Sequence, residues 1–219
     1  MPDRFPEYAA SIRRSSGIRN LDIFCFIDCT VRGCARPLYG QEAIYGGHKK
    51  KHGLKYQALA TPDGLIVCLF GPDASRNHDL RMLADSAMLQ RIEELQAGTG
   101  REWLIYGDPA YVPGQALITG FNRMERASDA AKDWFSKSLN ADRTSIEWSF
   151  GRVNNLFPFV DDAKANKVLK SPVALFYETA VLLTNCVTCL EGGNIFYSRF
   201  HVPPPTLSAY LRSAGDANE

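Results

Sequence analysis

The sequence lacks several features by which common classes of protein are recognised. It contains no glycine-rich nucleotide-binding loop, no P-loop, and no strand–turn–helix motif around a nucleophilic serine or cysteine. No apolar run approaches the roughly 20 residues that cross a bilayer, and no secretory leader opens the chain. These absences disfavour nucleotide-dependent enzymes, α/β hydrolases and membrane proteins.

The chain also has little excess charge, with a formal net charge of +1 over 219 residues. The molecule as a whole is no polycation, which weakens general affinity for nucleic acid but leaves a local basic groove open. Hydrophobic residues make up 45% and charged residues 22%, as in an ordinary globular protein of one domain or slightly more. Six cysteines, three of them in or beside apolar runs, indicate a reduced intracellular protein with core thiols.

The apolar segments predict a mixed sheet flanked by helices. The clearest strand is the run DIFCFIDCTV at 22–31, and YQALATPDGLIVCLFG at 56–71 predicts a hairpin that turns at Pro62-Asp63-Gly64. The stretch 32–54 between them is expected to be a loop or an irregular hairpin. A further strand is predicted at 103–107, with helices at 79–97, 124–140, 143–157 and 172–191. This order suits an α/β, ribonuclease H-like fold, although the order alone does not single it out.

Three regions are expected along the chain. Residues 1–21 are polar and are expected to be a frayed or truncated N-terminal remnant, while residues 22–200 form the main domain. Residues 201–219 are first Pro-rich and then small and polar, so a disordered tail is expected. No internal repeat or low-complexity block divides the chain further.

Three acidic residues lie in apolar surroundings, where a carboxylate is costly unless it has a partner. Asp28 lies within the most apolar strand, Asp108 directly follows the strand WLIYG, and Glu147 has apolar neighbours on a predicted helix. Taken singly, Asp28 could pair with an arginine, Asp108 could cap a turn, and Glu147 could be a solvated helix residue. Taken together they suggest a joint role, because ligand sites collect at the ends of strands in open α/β sheets.

A joint role available to three carboxylates is the binding of divalent metal ions. Mg²⁺ prefers oxygen ligands, keeps several waters and takes few protein carboxylates. Phosphodiester cleavage by two ions, about 3.5–4 Å apart, needs one to activate the attacking oxygen and one to stabilise the leaving oxygen. Carboxylates from two neighbouring strands, and from one helix packed over the strand ends, would converge on such a pair.

Four segments resemble, in order, the motif blocks of the PIF/Harbinger group of DDE transposases and their nuclease-like relatives. The segments are FIDCT, RNHDLRML, YGDPAY and RTSIEWSFGRVNNLF, and the blocks cover residues 22 to about 190. In that family the blocks are an Asp that ends a central strand, a His-Asp pair that opens a helix, Gly-Asp-x-Gly-Tyr, and an Arg before a helix with Glu and Phe-Gly. The resemblance implies that Asp28, Asp108 and Glu147 are the catalytic metal ligands.

The resemblance further implies a nuclear, metal-dependent DNA endonuclease or transposase core that uses Mg²⁺ or Mn²⁺. The family carries a helix-turn-helix-like region before the core, and Harbinger-type transposases depend on a separate Myb-like protein for DNA binding. Only 21 residues precede the first predicted strand here, so that region is expected to be truncated and a Myb-like partner is implied. The sequence departs from the family at Cys29, where Gly is usual, and at Pro109-Ala110, where a small residue and Gly are usual.

Other residues are candidates for supporting roles. The pair His78-Asp79 matches the second block, whose acid is a candidate accessory ligand, although we favour capping of the following helix by Asn77 or Asp79. The only dense basic run is Lys49, Lys50 and Lys51 between two histidines, which is either a phosphate-binding loop or a solvated one.

Arg143 and Arg152 flank Glu147 on its helix and are further candidates for contact with DNA phosphates. A zinc site of His48 and His52 with Cys186 and Cys189 has suitable ligand types. The two pairs are too far apart for a zinc finger, however, and the cysteines lie on an apolar helix, so they are expected in the core.

Two functions remain open. The first is an active nuclease or transposase core, which the intact set of three acids favours. The second is a catalytically impaired, transposon-derived domain that binds DNA or protein, which the truncated N-terminal region and the altered residues beside Asp28 and Asp108 favour. The separation of the three carboxylates in the folded protein bears most directly on the choice.

Overall fold

A single mixed sheet forms the centre of the protein. The computed structural model describes residues 2–47, 50–97 and 100–215, with side chains up to residue 212. The strands are β1 (Ile23–Gly33), β2 (Tyr45–Gly46), β3 (Lys51–Ala60), β4 (Ile66–Ala74), β5 (Leu104–Gly107) and β6 (Leu117–Thr119). They lie in the order β2-β3-β1-β5-β6, with β4 also paired to β3. β1 is antiparallel to β3 and parallel to β5, so the prediction of an α/β, ribonuclease H-like mixed sheet is confirmed.

Helices cover both faces of this sheet. They are α1 (Phe5–Ser16), α2 (Gln41–Ile44), α3 (Asp79–Asp85), α4 (Met88–Gln96), α5 (Arg123–Ser128), α6 (Ala130–Leu156), α7 (Val173–Glu191), α8 (Ile195–Phe200) and α9 (Leu207–Gly215). The even-numbered residues of β1 face α1 and α8, because Phe24 stacks on Phe5 with ring centroids 4.0 Å apart and Phe26 packs on Phe200 at 5.9 Å. Alternation along the strand turns the odd-numbered residues to the other face.

The ends of the chain differ from what the sequence suggested. Residues 5–16 form α1 rather than a frayed start, because Tyr8, Ala9 and Ile12 lie on one helix face and are almost completely buried in the main core. The prediction of a disordered tail is also wrong for α9, where the Tyr210 hydroxyl accepts a hydrogen bond of 3.0 Å from the Asn185 side chain on α7. The last four residues of the predicted tail lie outside the described residues.

Several internal boundaries also differ. The single helix predicted at 79–97 is divided into α3 and α4 at Ala87, which has a positive φ of 50°. The two helices predicted across 124–157 are instead the short α5 and a continuous α6, because the polar residue Asp142 is buried within α6 rather than ending it. β6 has only three residues and was not predicted, and the stretch 32–54 holds α2, β2 and the start of β3.

Helix α7 is long and apolar enough, by length and composition, to cross a membrane. It has 19 residues with a mean hydropathy of 1.6, so the expectation that no run approaches this length is wrong. Within the protein, 44% of the helix is buried. Its Asn185 side chain accepts a hydrogen bond from the Ile66 N–H at 3.1 Å and donates to the Ile66 carbonyl at 2.8 Å, which fixes α7 on β4. Packing within the fold therefore accounts for the apolar character of its inner face.

Candidate functional site

Strand pairing brings Asp28 and Asp108 side by side. In the parallel pair of β1 and β5, Phe26 lies opposite Tyr106, so the residues two positions further along each strand lie level. Asp28 is within β1, and Asp108 directly follows the last residue of β5. Both acids are therefore at the carboxyl end of β5, the edge at which open α/β sheets place their ligand sites.

Helix α6 adds Arg143 and Glu147 to the same place, because residues four apart lie on one helix face. Arg143 donates from Nη1 to Oδ2 of Asp28 at 2.7 Å. Its Nη2 lies 3.9 Å from Oδ2 of Asp108 and 3.9 Å from Oε1 of Glu147. One guanidinium thus contacts all three acids, which we call the acidic triad: Asp28, Asp108 and Glu147. The structure brings together the three residues that the sequence analysis singled out.

The acidic triad extends from a buried floor to an exposed rim. The exposed fraction of the side chain is 19% for Asp28, 43% for Asp108 and 57% for Glu147. Asp28 is the most rigidly held, because its Oδ1 also accepts a hydrogen bond of 2.7 Å from the backbone N–H of Cys29. A ligand from solvent therefore meets Glu147 and Asp108 before it reaches Asp28.

The electrostatics at Asp28 are a balance of opposed effects. Burial has the largest effect and raises the pKa of Asp28, and the negative charges of Glu147 and Asp108 raise it further. The guanidinium of Arg143 and the backbone N–H of Cys29 lower this pKa, but the net direction remains upward. A cation beside Asp28 therefore favours the charged form of this carboxylate.

The turn after β5 orients Asp108. Its Oδ1 accepts a hydrogen bond from the N–H of Ala110 at 2.8 Å, and its carbonyl accepts from the N–H of Tyr111 at 3.0 Å. Gly107 is required here, because a Cβ would lie 2.8 Å from Ile27 and 2.9 Å from Tyr111. Ala110 has no positive φ, so Ala in place of the usual Gly does not strain the turn.

The acidic triad fits a divalent cation in its donor chemistry but not in its present arrangement. Three carboxylates supply the oxygen ligands that Mg²⁺ and Mn²⁺ prefer. Among the described residues, however, no three His, Cys, Asp or Glu side chains form a group that could hold a metal ion. In the present arrangement the guanidinium of Arg143 lies in contact with each of the three carboxylates.

The other candidate arginine, Arg152, lies away from the acidic triad. It follows Arg143 by nine residues, which at 3.6 residues per turn places it on the opposite side of α6. There it forms an ion pair with Glu191 at the end of α7. The two arginines that flank Glu147 in the sequence therefore have separate surroundings in the fold.

The lysine run lies at the far end of β3. Lys50 and Lys51 are exposed, whereas Lys49 lies outside the described residues. Ala58 is the cross-strand partner of Asp28, and Lys51 precedes it by seven residues, a distance of about 23 Å along an extended strand. These lysines lie too far away to contact the same phosphate as the acidic triad.

The pair His78-Asp79 opens α3 but does not cap it as expected. His78 is the N-cap residue and its side chain makes no capping hydrogen bond. Asp79 is the first helical residue and forms an ion pair with Lys55, while Asn77 donates its side-chain N–H to Asp73 at 2.7 Å. The capping prediction for Asn77 or Asp79 is therefore wrong, because both side chains are engaged elsewhere.

Asp79 belongs to a separate polar cluster that the sequence analysis missed. The Gln57 side chain donates to the Tyr111 hydroxyl at 3.0 Å and to the Asp79 carbonyl at 3.3 Å, and the Cys29 thiol lies 3.4 Å from the same hydroxyl. Neighbouring residues of a strand point to opposite faces, so this cluster lies across the sheet from Asp28. Burial raises the pKa of Cys29 to about 12, which keeps the thiol neutral at pH 7. Strand alternation could have predicted that Cys29 faces away from Asp28. The pairing of Cys29 with Gln57 depends in addition on the register between β1 and β3.

No zinc site forms from the described candidates. Cys189 packs with Leu65 and Tyr210, and burial raises its pKa to about 11. His52 and the two cysteines of α7 form no metal-binding group within the described part of the chain, and His48 lies outside it. All six cysteines are free. Cys25, Cys34 and Cys189 are buried, whereas Cys29, Cys68 and Cys186 are half-buried.

Comparison with known proteins adds one finding to this geometry. A family model described as DDE superfamily endonuclease matches residues 27–185. The match begins one residue before Asp28, and it includes Asp108, Arg143 and Glu147. The chain matches no curated protein and no solved structure.

Proposed function

The chain belongs to the DDE superfamily endonucleases, and on that premise we propose that it cleaves phosphodiester bonds of DNA at the acidic triad. The observation that carries the proposal is the convergence of Asp28, Asp108 and Glu147 on one guanidinium, from two strands and one helix. Nothing in the packing of the core requires three acids at one place, since Asp108 is half-buried and Glu147 is exposed. Their convergence is instead what a site for a phosphate and its counter-cations needs.

In this proposal each member of the acidic triad has a distinct part. A divalent cation, Mg²⁺ or Mn²⁺, held by the three carboxylates would supply a Lewis acid for the phosphoryl oxygen and a water of lowered pKa. Asp28 forms the buried floor of the site and is fixed in position, because its Oδ1 accepts a hydrogen bond from a backbone N–H. Asp108 is set by its turn, and Glu147 lies at the mouth of the site on the rigid α6. The proposal includes a second ion, so that one ion would activate the attacking oxygen and the other would stabilise the leaving oxygen.

Two groups of cationic residues, one beside the acidic triad and one further away from it, are proposed to bind the DNA backbone. Arg143 is adjacent to the reacting phosphate, and a guanidinium can bind two phosphate oxygens at once. Lys51 is about 23 Å from Asp28, which corresponds to roughly seven nucleotides along one strand, and we propose that the run Lys49, Lys50 and Lys51 binds phosphates at that distance. Arg152 is proposed as a weaker contact, since it would have to leave Glu191.

A second function is supported by one specific observation. The guanidinium of Arg143 contacts all three carboxylates, as expected of a domain that retains the fold and its acids but has lost the capacity to bind cations. In that case the chain is a catalytically impaired, transposon-derived domain that binds DNA or another protein. The two functions differ in a single property, cleavage of DNA in the presence of a divalent cation.

The experiment is a cleavage assay on supercoiled plasmid DNA in Mg²⁺ and in Mn²⁺. We expect nicking by the wild type and a loss of at least about 100-fold for Asp28→Asn, Asp108→Asn and Glu147→Gln, as when a charge-stabilising group is removed from an active site. Glu93→Gln on the exposed surface of α4 is the matched control and should retain full activity. An absence of cleavage by the wild type would eliminate the nuclease function. Metal-independent cleavage, or equal activity of the three variants, would show that cleavage does not take place at the acidic triad.

A partner protein is proposed for the recognition of DNA. With a net charge of +1, the chain offers few phosphate contacts, so we expect it to bind duplex DNA no more tightly than about the micromolar range at physiological salt. The sequence resemblance to Harbinger-type transposases motivates a Myb-like DNA-binding partner and action in the nucleus. Nanomolar, sequence-specific binding by the isolated chain in a fluorescence-anisotropy titration would remove the need for such a partner.

A further inference from the structure

Arg143 stands out because its contacts are incomplete. Its Nη1 makes one short hydrogen bond, 2.7 Å to Asp28, whereas its Nη2 is 3.9 Å from both other acids. Its Nε is buried and has no hydrogen-bond partner among the described residues. A guanidinium carries five N–H donors in a fixed fork, so most of the donors of Arg143 are not used in short bonds with the acidic triad.

The position of this guanidinium is the one that a bound cation would need. The three carboxylates leave a net charge of −2 when the single positive charge of Arg143 is counted against them. Without Arg143 the three negative charges would face one another, and each would raise the pKa of its neighbours, as Glu147 and Asp108 already do for Asp28. Arg143 therefore offsets part of the repulsion that a divalent cation would otherwise have to offset.

We propose that Arg143 is a built-in counter-cation of the acidic triad that competes with a divalent cation for Asp28. The proposal rests on the function proposed above and adds a regulation of the same site. In the cation-free protein Arg143 holds the three carboxylates together. A divalent cation binds Asp28 only when the guanidinium withdraws from it, so the cation affinity of the protein is set by this exchange.

The spacing on α6 makes such an exchange possible without any movement of the backbone. Arg143 and Glu147 are four residues apart on one helix face, and Asp28 and Asp108 are fixed by backbone hydrogen bonds from Cys29 and Ala110. The carboxylates therefore remain in place when the guanidinium leaves. A phosphodiester group at the site would give the displaced guanidinium an anionic partner, so bound DNA is expected to favour cation binding.

The competition has a consequence that a purely structural role would not have. Removal of a structural residue weakens ligand binding, whereas removal of a competitor strengthens it. Arg143→Gln keeps a planar group of similar shape but removes the charge. We expect it to tighten Mn²⁺ binding by roughly tenfold, in line with the effect of an adjacent Arg charge on the ionisation of a carboxyl. The melting temperature of the cation-free variant should fall, and its rise on addition of Mn²⁺ should exceed that of the wild type.

The test is a calorimetric titration of Mn²⁺ into the wild type, Arg143→Gln and Arg152→Gln. Arg152 is the matched control, since it lies on the same helix and is also paired with a glutamate, but on the opposite side. Tighter binding by Arg143→Gln alone supports the inference. Equal or weaker binding by Arg143→Gln, with clear binding by the wild type, overturns the inference and leaves the proposed function intact. An absence of binding by all three proteins overturns both.

A second measurement is made on the wild type, so its outcome does not depend on whether a variant with altered charge folds. In the nitrogen-15 NMR spectrum of the arginine side chains, the Nε–H resonance of Arg143 is assigned by its loss in Arg143→Lys. Titration with diamagnetic Mg²⁺ should shift this resonance, while that of Arg152 remains unchanged. A resonance of Arg143 that stays fixed at Mg²⁺ concentrations that saturate the protein would show that cation and guanidinium bind together, and it would overturn the competition.

Discussion

Two neighbouring residues of α6, Asp142 and Arg143, each belong to a buried ion pair, and the two pairs are built in opposite ways. Asp142 has a completely buried side chain, and one of its oxygens accepts three hydrogen bonds, from Nε and Nη2 of Arg199 and from the hydroxyl of Ser15. This pair joins α1, α6 and α8. Arg143 instead faces three acids, of which Asp108 is half-buried and Glu147 exposed, and it makes one short bond, to Asp28.

The difference separates a charge that fixes the fold from charges that are only partly compensated within the fold. Three donors surround Oδ1 of Asp142 and hold three helices together, although Oδ2 is buried without a hydrogen-bond partner among the described residues. One guanidinium shared among three carboxylates is an open arrangement, in which negative charge remains in excess. An excess of buried and half-buried charge is unfavourable for stability, and its presence at the end of the central strands is a mark of a functional site.

The largest effect expected from this comparison is on stability. Asp142→Asn should lower the free energy of unfolding by about 1.5–3 kcal/mol, because it weakens the charge-assisted hydrogen bonds that the half-buried Arg199 donates to a buried oxygen. The midpoint of a urea denaturation curve measures this. The control is Asp133→Asn, which also removes an aspartate of α6 from an arginine, here Arg126, but at the surface. It should cost far less than Asp142→Asn, because solvent screens an ion pair at the surface, and an equal cost for both variants would contradict the distinction.

The next effect has the opposite sign. Asp108→Asn removes one charge from the acidic triad, so it should leave the cation-free protein as stable as the wild type or more stable by up to about 1 kcal/mol. It should also diminish the rise in melting temperature that Mg²⁺ or Mn²⁺ produces through linkage. Thermal unfolding with and without the cation measures both. A cation response equal to that of the wild type would place the bound ions elsewhere in the molecule.

The sequence was enough to predict the three acids but not the residue between them. Asp28, Asp108 and Glu147 were predictable because each lies in apolar sequence, where a charge without a partner is costly. Arg143 was expected to face DNA, since helical spacing relates it to Glu147 but does not relate α6 to β1. The approach of α6 to β1 is a matter of tertiary packing, which no local pattern encodes.

The same limit explains most differences in the fold. The strand at 22–31 and the helix at 172–191 were predicted because their apolar character is strong and continuous. The sequence did not predict that α6 is continuous, because Asp142 is a polar residue in the middle of the helix. Its partner Arg199 lies 57 residues further along the chain, and only the fold brings the two together. The helix α9 was missed because its main anchor, the hydrogen bond of Tyr210 with Asn185, is likewise distant in sequence.

A smaller effect is expected from cations that lie outside both ion pairs. Among the described residues, Lys50 and Lys51 are exposed and form no ion pair, so they are available to phosphates. Replacement of Lys49, Lys50 and Lys51 by Ala should reduce the slope of log affinity for duplex DNA against log salt by roughly 2–3, about 0.9 for each lost phosphate contact. Fluorescence anisotropy at several salt concentrations measures the slope. An unchanged slope would mean that the lysines form a solvated loop without contact to DNA.

The smallest effect concerns pH. Burial raises the pKa of Asp142 above its usual value of 3.8, so the folded state takes up a proton more readily than the unfolded state. The contribution of Asp142 to the free energy of unfolding therefore decreases as the pH rises from 3.8 through the raised pKa, and it is constant above that. Asp142→Asn should remove this part of the pH dependence from denaturation curves measured at pH 4–6. A slope as steep in the variant as in the wild type would assign the dependence to other groups.

The most direct test of the account is the position of a bound cation. Crystals grown with Mn²⁺ allow the ion to be located by its anomalous scattering. We predict a peak about 2.0–2.2 Å from carboxylate oxygens of Asp28, Asp108 and Glu147, with the guanidinium of Arg143 withdrawn from Asp28. A peak at another place, or none at all with Arg143 still bonded to Asp28 at saturating Mn²⁺, would contradict the assignment of these three acids as a cation site.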